Sequence, residues 1–368
     1  MAVALSGAAQ DYDSAYVARV RDSVEMYYRT HPAQRAKRPS RCDFKALPLY
    51  GVLYTQETQF TAMGGFVGTY RTSADTLLPL SSVGATAMLS TNLSAAAVVT
   101  GTWYSPGGHF MIDYKARFLY SPRSFWGLGY ACASDNANRS SFTAMRAGVR
   151  ADFLYSGVSG MRIGAMAAYD YYSAGNFSSP WLIDGCPLTT HYASVGFIVS
   201  YDSRDEMLSP SRGMFVELEQ SANIPLSGNG PFYRAEVTAD FYAGLWRGCV
   251  MAVDLYGNLS TCGSPWTMWP DAGGDVRMRG YYQGRYRDRN LLSVQLELRQ
   301  HIYGCHGVVA WGGAGNVFPS TRRFDIKNTL PTYGAGYRLS FAGLVFRLDA
   351  GFGIRGQWAV IAGFNHSF

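Results

Sequence analysis

The sequence predicts an all-β protein: a transmembrane antiparallel β-barrel of about sixteen strands, preceded by a short N-terminal helix. Three observations predict it. Hydrophobic residues make up 48% of the 368 positions, yet charged residues make up only 16%, where a soluble domain carries about a quarter. Apolar and polar residues alternate with a period of two over most of the chain. Short turns also alternate with long loops along the sequence, which is how barrels that cross an outer membrane are connected.

The composition narrows the choice further. There are 26 Tyr, 20 Phe and 41 Gly, and no apolar run approaches the ~20 residues a membrane helix needs. A chain of this kind crosses a bilayer only as a closed barrel, because lipid offers no partner to an unpaired backbone group. The expected compartment is the outer membrane of a Gram-negative bacterium. The net charge of +6 carries no signature of nucleic-acid binding. Much of it lies in Arg29, Arg35, Lys37, Arg38, Arg41 and Lys45, read as a solvated linker at the rim or as an anchor for lipid phosphates or an acidic partner.

Residues 1–9 read as the remnant of an export signal, with Gly7-Ala8-Ala9 as a small-residue cleavage site. Residues 10–45 hold the predicted helix and the basic linker. Asp11 or Asp13 caps the helix, Tyr16, Val17, Val20, Val24 and Tyr27 recur at helical spacing, and Pro32 ends it. Its apolar face is expected to dock at the periplasmic mouth of the barrel.

The barrel occupies 46–368. Strands are expected at 48–55, 59–72, 80–91, 95–104, 108–118, 141–156, 160–172, 189–201, 213–221, 232–245, 248–258, 291–302, 306–315, 332–341, 344–353 and 358–368. The clearest is Leu292, Val294, Leu296 and Leu298 alternating with Ser293, Gln295, Glu297 and Arg299. Charges of both signs on one face suit a watery lumen, and the apolar face suits lipid. Long loops are expected at 119–140, 173–188, 259–290 and 316–331. The first strand carries Pro48 and Gly51 and the last Gly363, so few ladder bonds are expected between them.

Six cysteines (42, 132, 186, 249, 262 and 305) fit no zinc or CxxC spacing and read as unpaired thiols, although the periplasm permits disulfides. Six histidines (31, 109, 191, 301, 306 and 366) form no metal set. His301 is expected in the lumen, and His191 near Asp184 reads as part of a polar loop. Gly157-Val158-Ser159-Gly160 lacks the G-x-S-x-G of a serine nucleophile. No catalytic residue, metal or cofactor is expected.

Four segments carry a family resemblance. One is Tyr201 to Gly213, with Asp202, Arg204, Asp205, Pro210 and Gly213; the two aspartates can tie back to turn N–H groups while Pro210 and Gly213 shape the turn. Another is the glycine-flanked loop Gly273 to Asn290, with Arg279-Gly280-Tyr281. The third is the strand Gln295-Leu296-Glu297-Leu298-Arg299, and the fourth is the ending Tyr333 to Arg338, Phe346 to Asp349 and terminal Phe368. Together they resemble the BamA/TamA superfamily of outer-membrane assembly and translocation barrels over roughly 46–368. Pro48–Glu57 and Ser121–Gly129 look like the first barrel segments of Bacteroidota-type members.

The resemblance implies a non-enzymatic protein that assists insertion or translocation of proteins at the outer membrane. It implies that the Arg279 loop folds back into the lumen, that Glu297 is its partner with Asp349 and Glu217 as alternatives, and that Phe368 is a C-terminal assembly signal. The sequence departs from the family in two places. Met278 stands for the family's Val, and Trp311 to Gly315 lacks the acidic residue often found there. Residues 10–45 are also too few for a substrate-receiving POTRA domain. This implies a POTRA-less member, served by a periplasmic or lipoprotein partner. Outer-membrane lipids and lipopolysaccharide are expected partners of such a barrel in their own right. The alternative is a small pore or a structural barrel subunit of a larger outer-membrane complex.

Overall fold

The computed structural model describes residues 44–73, 78–158, 160–226, 230–341 and 344–368. The expected export-signal remnant, the expected N-terminal helix, most of the basic linker, Cys42 and the expected turn at 342–343 lie outside the described residues.

Alternation is strong enough in this chain to set most strands by itself. In order they are β1 (Lys45–Thr55), β2 (Gln59–Tyr70), β3 (Ser81–Ser90), β4 (Ala95–Tyr104), β5 (Phe110–Phe125), β6 (Ser140–Val158), β7 (Met161–Gly175), β8 (Thr189–Asp202), β9 (Gly213–Pro225), β10 (Phe232–Trp246), β11 (Cys249–Ser260), β12 (Asp271–Ala272), β13 (Tyr286–Arg287), β14 (Asn290–Tyr303), β15 (His306–Phe318), β16 (Leu330–Phe341), β17 (Leu344–Phe352) and β18 (Trp358–Phe364). Among the described residues, sixteen of these close an antiparallel barrel, while β12 and β13 form a separate two-stranded ribbon. Side chains alternate across the wall, as strand geometry requires. In β17, Leu344, Leu348 and Phe352 are exposed on the outer face, and Val345, Arg347 and Asp349 are buried inside.

Three expectations need correction. β5 runs on to Phe125, so the loop expected at 119–140 is shorter and holds a helix, α1 (Gly129–Ser134). Ser121 to Phe125 still pair with β6, from Ser121↔Ala144 to Phe125↔Ser140, so pairing continues past the point where apolar alternation fades. β18 ends at Phe364 rather than at Phe368. Asn365 takes a left-handed φ of +64° and turns residues 365–368 inward. His301 is not in the lumen but exposed at a tight turn, where its Nε2 lies 2.9 Å from the Gly304 carbonyl oxygen.

The wall is uneven. β1 pairs with β2 at every position from Lys45↔Thr69 to Thr55↔Gln59. Across the closing seam β1 pairs with β18 only at Tyr54↔Ala362. β18 has turned away before it can cover the first half of β1, and Tyr50 is 85% exposed there.

Candidate functional site: the lumen loop and its anchors

The long connection between β11 and β14 folds into the barrel, and its arginines are fastened to different parts of the interior. Glycine permits the path. Gly280 has φ +109°, and a Cβ on it would lie 2.6 Å from the Phe352 backbone nitrogen. The loop therefore rests directly on the β17 backbone, an approach open only to glycine.

Arg279 follows from that contact. It is 0% exposed and bridges two carboxylates, with Nη2 2.5 Å from Glu297 Oε2 and Nη1 2.8 Å from Asp349 Oδ2. Glu297 comes from β14 and Asp349 from β17, so one planar guanidinium joins two strands of the wall. Its centre lies 3.7 Å from the ring centroid of Trp311. The indole thus lays an aromatic face beneath the cation. The Thr332 hydroxyl donates to the Arg279 carbonyl oxygen.

The carboxylates are shared with the wall. Arg299 Nε donates to Glu297 Oε1 at 2.8 Å, Arg338 pairs with Asp349, and Arg347 Nη2 lies 3.0 Å from Asp275 Oδ2 on the loop itself. Isolated buried charges would be costly, and this network leaves Glu297 and Asp349 each with at least two cationic or hydroxyl partners. Glu217 is not among them; it lines a separate lumen cavity of about 480 Å³ with Asp152, Arg150 and Glu219.

The neighbours of Arg279 hold the rest of the loop. The Tyr281 hydroxyl donates to the Pro331 carbonyl at 2.5 Å and accepts from the Ile354 N–H at 3.0 Å. Arg277 forks onto Asp254 of β11 at 2.8–2.9 Å and lies 4.1 Å from the Tyr256 ring. Arg285 Nε donates to the Ala133 carbonyl of α1 at 3.0 Å, and Arg287 pairs with Asp271 in the loop's own ribbon. Met278 is buried against Gly315, with its Sδ 2.6 Å from where a Cβ would stand. A thioether at the family's valine position thus fills space left by a glycine.

Two contacts had no warning in the sequence. Glu57, in the turn after β1, accepts a hydrogen bond from the Gln283 N–H at 2.7 Å. The inturned tail also reaches the network: Ser367 Oγ donates to Glu297 Oε2 at 3.0 Å, and Arg299 Nη2 donates to the Phe368 carbonyl at 2.7 Å. Phe368 thus lies under Arg299, with its ring centroid 5.4 Å from the guanidinium, and not at the end of a strand. Period-two reading assigns faces within strands and is blind to such returns.

The other motif lies in the turn between β8 and β9. Arg204 Nε and Nη2 grip the Asp202 carboxylate at 2.9 and 2.8 Å. Asp205 Oδ1 accepts from the N–H groups of Glu206, Ser211 and Arg212 at 3.0, 2.8 and 3.2 Å, and Ser211 Oγ donates to Oδ2 at 2.5 Å. Against the partial burial that would raise it, the Ser211 hydroxyl and these N–H groups hold the Asp205 carboxyl below the usual carboxylate range. Pro210 is buried, and Gly213 has φ +100° with a hypothetical Cβ only 2.2 Å from the Ser203 carbonyl oxygen. His191 bonds Tyr169 at 3.1 Å, while the Asp184 carboxylate takes the Gly185 N–H, so these two form no dyad.

The comparisons agree with this architecture. No curated protein matches the chain in sequence. The chain is similar in structure to BamA from Haemophilus ducreyi lacking POTRA domains 1–3, with a TM-score of 0.64 at 12% identity, covering 88% of this chain and 70% of that one. It is also similar to CdiB from Escherichia coli (TM-score 0.58, 13% identity, 87% of this chain and 62% of that one) and to CdiB from Acinetobacter baumannii (TM-score 0.55, 12% identity, 88% and 59%). The chain thus spans less than two thirds of the CdiB chains. The Omp85 superfamily domain matches residues 100–360, which contain the Asp202–Gly213 turn, the Arg279 loop and the Glu297 strand, and the chain belongs to that superfamily.

Proposed function

We propose that this barrel lies in the outer membrane of a Gram-negative bacterium and assists the insertion or translocation of proteins there, without bond chemistry. The observation that carries the reading is the seam. β1 offers a row of backbone N–H and C=O groups that β18 covers at one register position, and such an edge can template an incoming strand. The outer face supports the membrane reading, with Leu292, Val294 and Leu296 each about 40% exposed in one strand. In this reading the start of β1 and the end of β18 face the periplasm together with the tight turns at 247–248 and 304–305, the long connections face outward, and a periplasmic or lipoprotein partner presents the client.

A second reading, a small pore, draws on the charged lumen cavity beside Glu217. The anchored loop across the lumen favours the first. Two measurements separate them. A disulfide between Tyr54→Cys and Ala362→Cys should stop the insertion of client barrels in cells, and reductant should restore it. Full activity with the seam locked would overturn the assembly reading. Steady single-channel conductance in planar bilayers would support the pore.

A further inference from the structure

The connection between β15 and β16 does not fold inward as the Arg279 loop does. It leans over the outer wall. Phe324 and Ile326 line an apolar groove of about 520 Å³ together with outward-facing Leu292 and Val294. Ile326 is 70% exposed. A second groove of about 680 Å³ adjoins it, shares Ala235 and Leu259, and is bordered by Arg289 and Thr321. Phe324 and Ile326 are thus exposed apolar side chains of the loop that extend the apolar wall beneath it, which sets the loop apart from a solvated tip.

The same loop carries the charge. Arg322, Arg323 and Lys327 are exposed, and among the described residues none of them has an ion-pair partner. The one acidic residue between them, Asp325, is turned to its own backbone, where its Oδ1 accepts the Lys327 N–H at 2.9 Å. Arg289 is aimed at the loop, with Nη1 3.2 Å from the Pro319 carbonyl oxygen. Arg289 thus borders one groove, and Arg322, Arg323 and Lys327 are exposed on the loop whose Thr321, Phe324 and Ile326 line the two grooves.

We propose that this loop and the wall beneath it form a binding site for a phosphorylated glycolipid of the outer leaflet, one with several acyl chains and more than one phosphate. The inference rests on the membrane orientation proposed above, which sets this loop at the outer leaflet. Charge complementarity selects the headgroup, since arginine forks suit phosphate oxygens. The paired grooves select several chains over one. A two-chain phospholipid with a single phosphate offers the same surface fewer anionic groups and fewer chains.

The test is native mass spectrometry of the intact barrel released in mild detergent, with three added probes: bis-phosphorylated lipid A, its dephosphorylated form and a phosphatidylglycerol. Retention of the phosphorylated lipid A should exceed that of the dephosphorylated form by on the order of 10- to 100-fold, given the attraction of several cations near a membrane surface. The triple change Arg322→Ser, Arg323→Ser and Lys327→Ser should abolish that preference. Phe324→Ser with Ile326→Ser should lower retention of both lipid A forms. Equal retention of the two forms, an unaltered triple variant, or phosphatidylglycerol competing as well as lipid A would each overturn the site. An epitope inserted after Asp184 and read by antibody on intact cells tests the orientation separately. Lack of surface signal would overturn the orientation and the lipid site with it. A surface signal without phosphate preference would overturn the lipid site alone.

Discussion

Gln283 donates its backbone N–H to the Glu57 carboxylate at 2.7 Å, so the lumen loop is tied to the first hairpin of the barrel. On the other side of the seam, Ile354, in the connection between β17 and β18, donates to the Tyr281 hydroxyl at 3.0 Å. One loop therefore touches both banks of the only sparsely paired joint among the described strands. If the seam opens, one of these bonds must break or the loop must move.

The Glu57 bond makes the first prediction. Glu57→Ala should free the Gln283 N–H at a local cost of about 1.5–3 kcal/mol, the range for a hydrogen bond to a charged group. Hydrogen exchange at Gln283 should accelerate accordingly, while Glu57→Gln, which keeps a carbonyl acceptor, should exchange at an intermediate rate. Unchanged exchange in Glu57→Ala would show that the tie does not hold the loop.

Arg279 is the second. Arg279→Ala leaves Glu297 and Asp349 without their shared cation and should cost on the order of 3–5 kcal/mol. Proteolysis of folded barrel, with its integrity checked by gel mobility before and after heating, should then cut within 271–289. Arg279→Lys should recover little, because a point charge does not span two carboxylates. Pairing Arg279→Glu with Glu297→Arg should restore little too, since Asp349 would remain beside the new carboxylate. Additivity of Arg279→Ala and Glu297→Ala in a double-mutant cycle would refute the coupling.

The third concerns backbone contact. Gly280→Ala should dislodge the loop although it removes no charge, because φ +109° and the Phe352 nitrogen at 2.6 Å both exclude a Cβ. The strained dihedral alone costs about 1–3 kcal/mol. Protease sensitivity close to that of Arg279→Ala is the expected result; wild-type resistance would mean that the loop does not rest on β17.

The fourth is a pH dependence in the turn between β8 and β9. The folded Asp205 carboxyl lies below its ordinary value, so its contribution is present above the ordinary carboxylate range, around pH 4. It is lost as pH falls through the lower folded value. Amides of Ser211 and Arg212 should stay protected at neutral pH and lose protection in acid beyond the intrinsic change in exchange rate. Asp205→Asn should remove that acid step. An acid step that persists in Asp205→Asn would assign it to another group.

Much of this was legible in the chain itself. Sixteen alternating segments set the strands, because an inward carboxylate such as Glu297 between outward leucines 296 and 298 leaves little freedom in register. The glycines around Arg279 announced a sharply turning loop. The Asp202–Gly213 turn was readable because its hydrogen bonds are local; Asp205 finds Ser211 six residues on. The partner of Arg279 was narrowed by alternation to a few lumen acids, but alternation gives the face of a strand and not its position around the barrel.

The sequence alone determined the period of the strands, the side each residue faces and the residues free to turn, since these depend on neighbours a few positions away. Only the closed barrel decided that Arg279 takes Asp349 as well as Glu297, that Trp311 lies beneath it, and that Phe368 leaves the wall for Arg299. Closure also set Gln283 against Glu57, 226 residues away in the chain. Contacts at such separations depend on curvature and shear around the whole ring, quantities that no single strand carries.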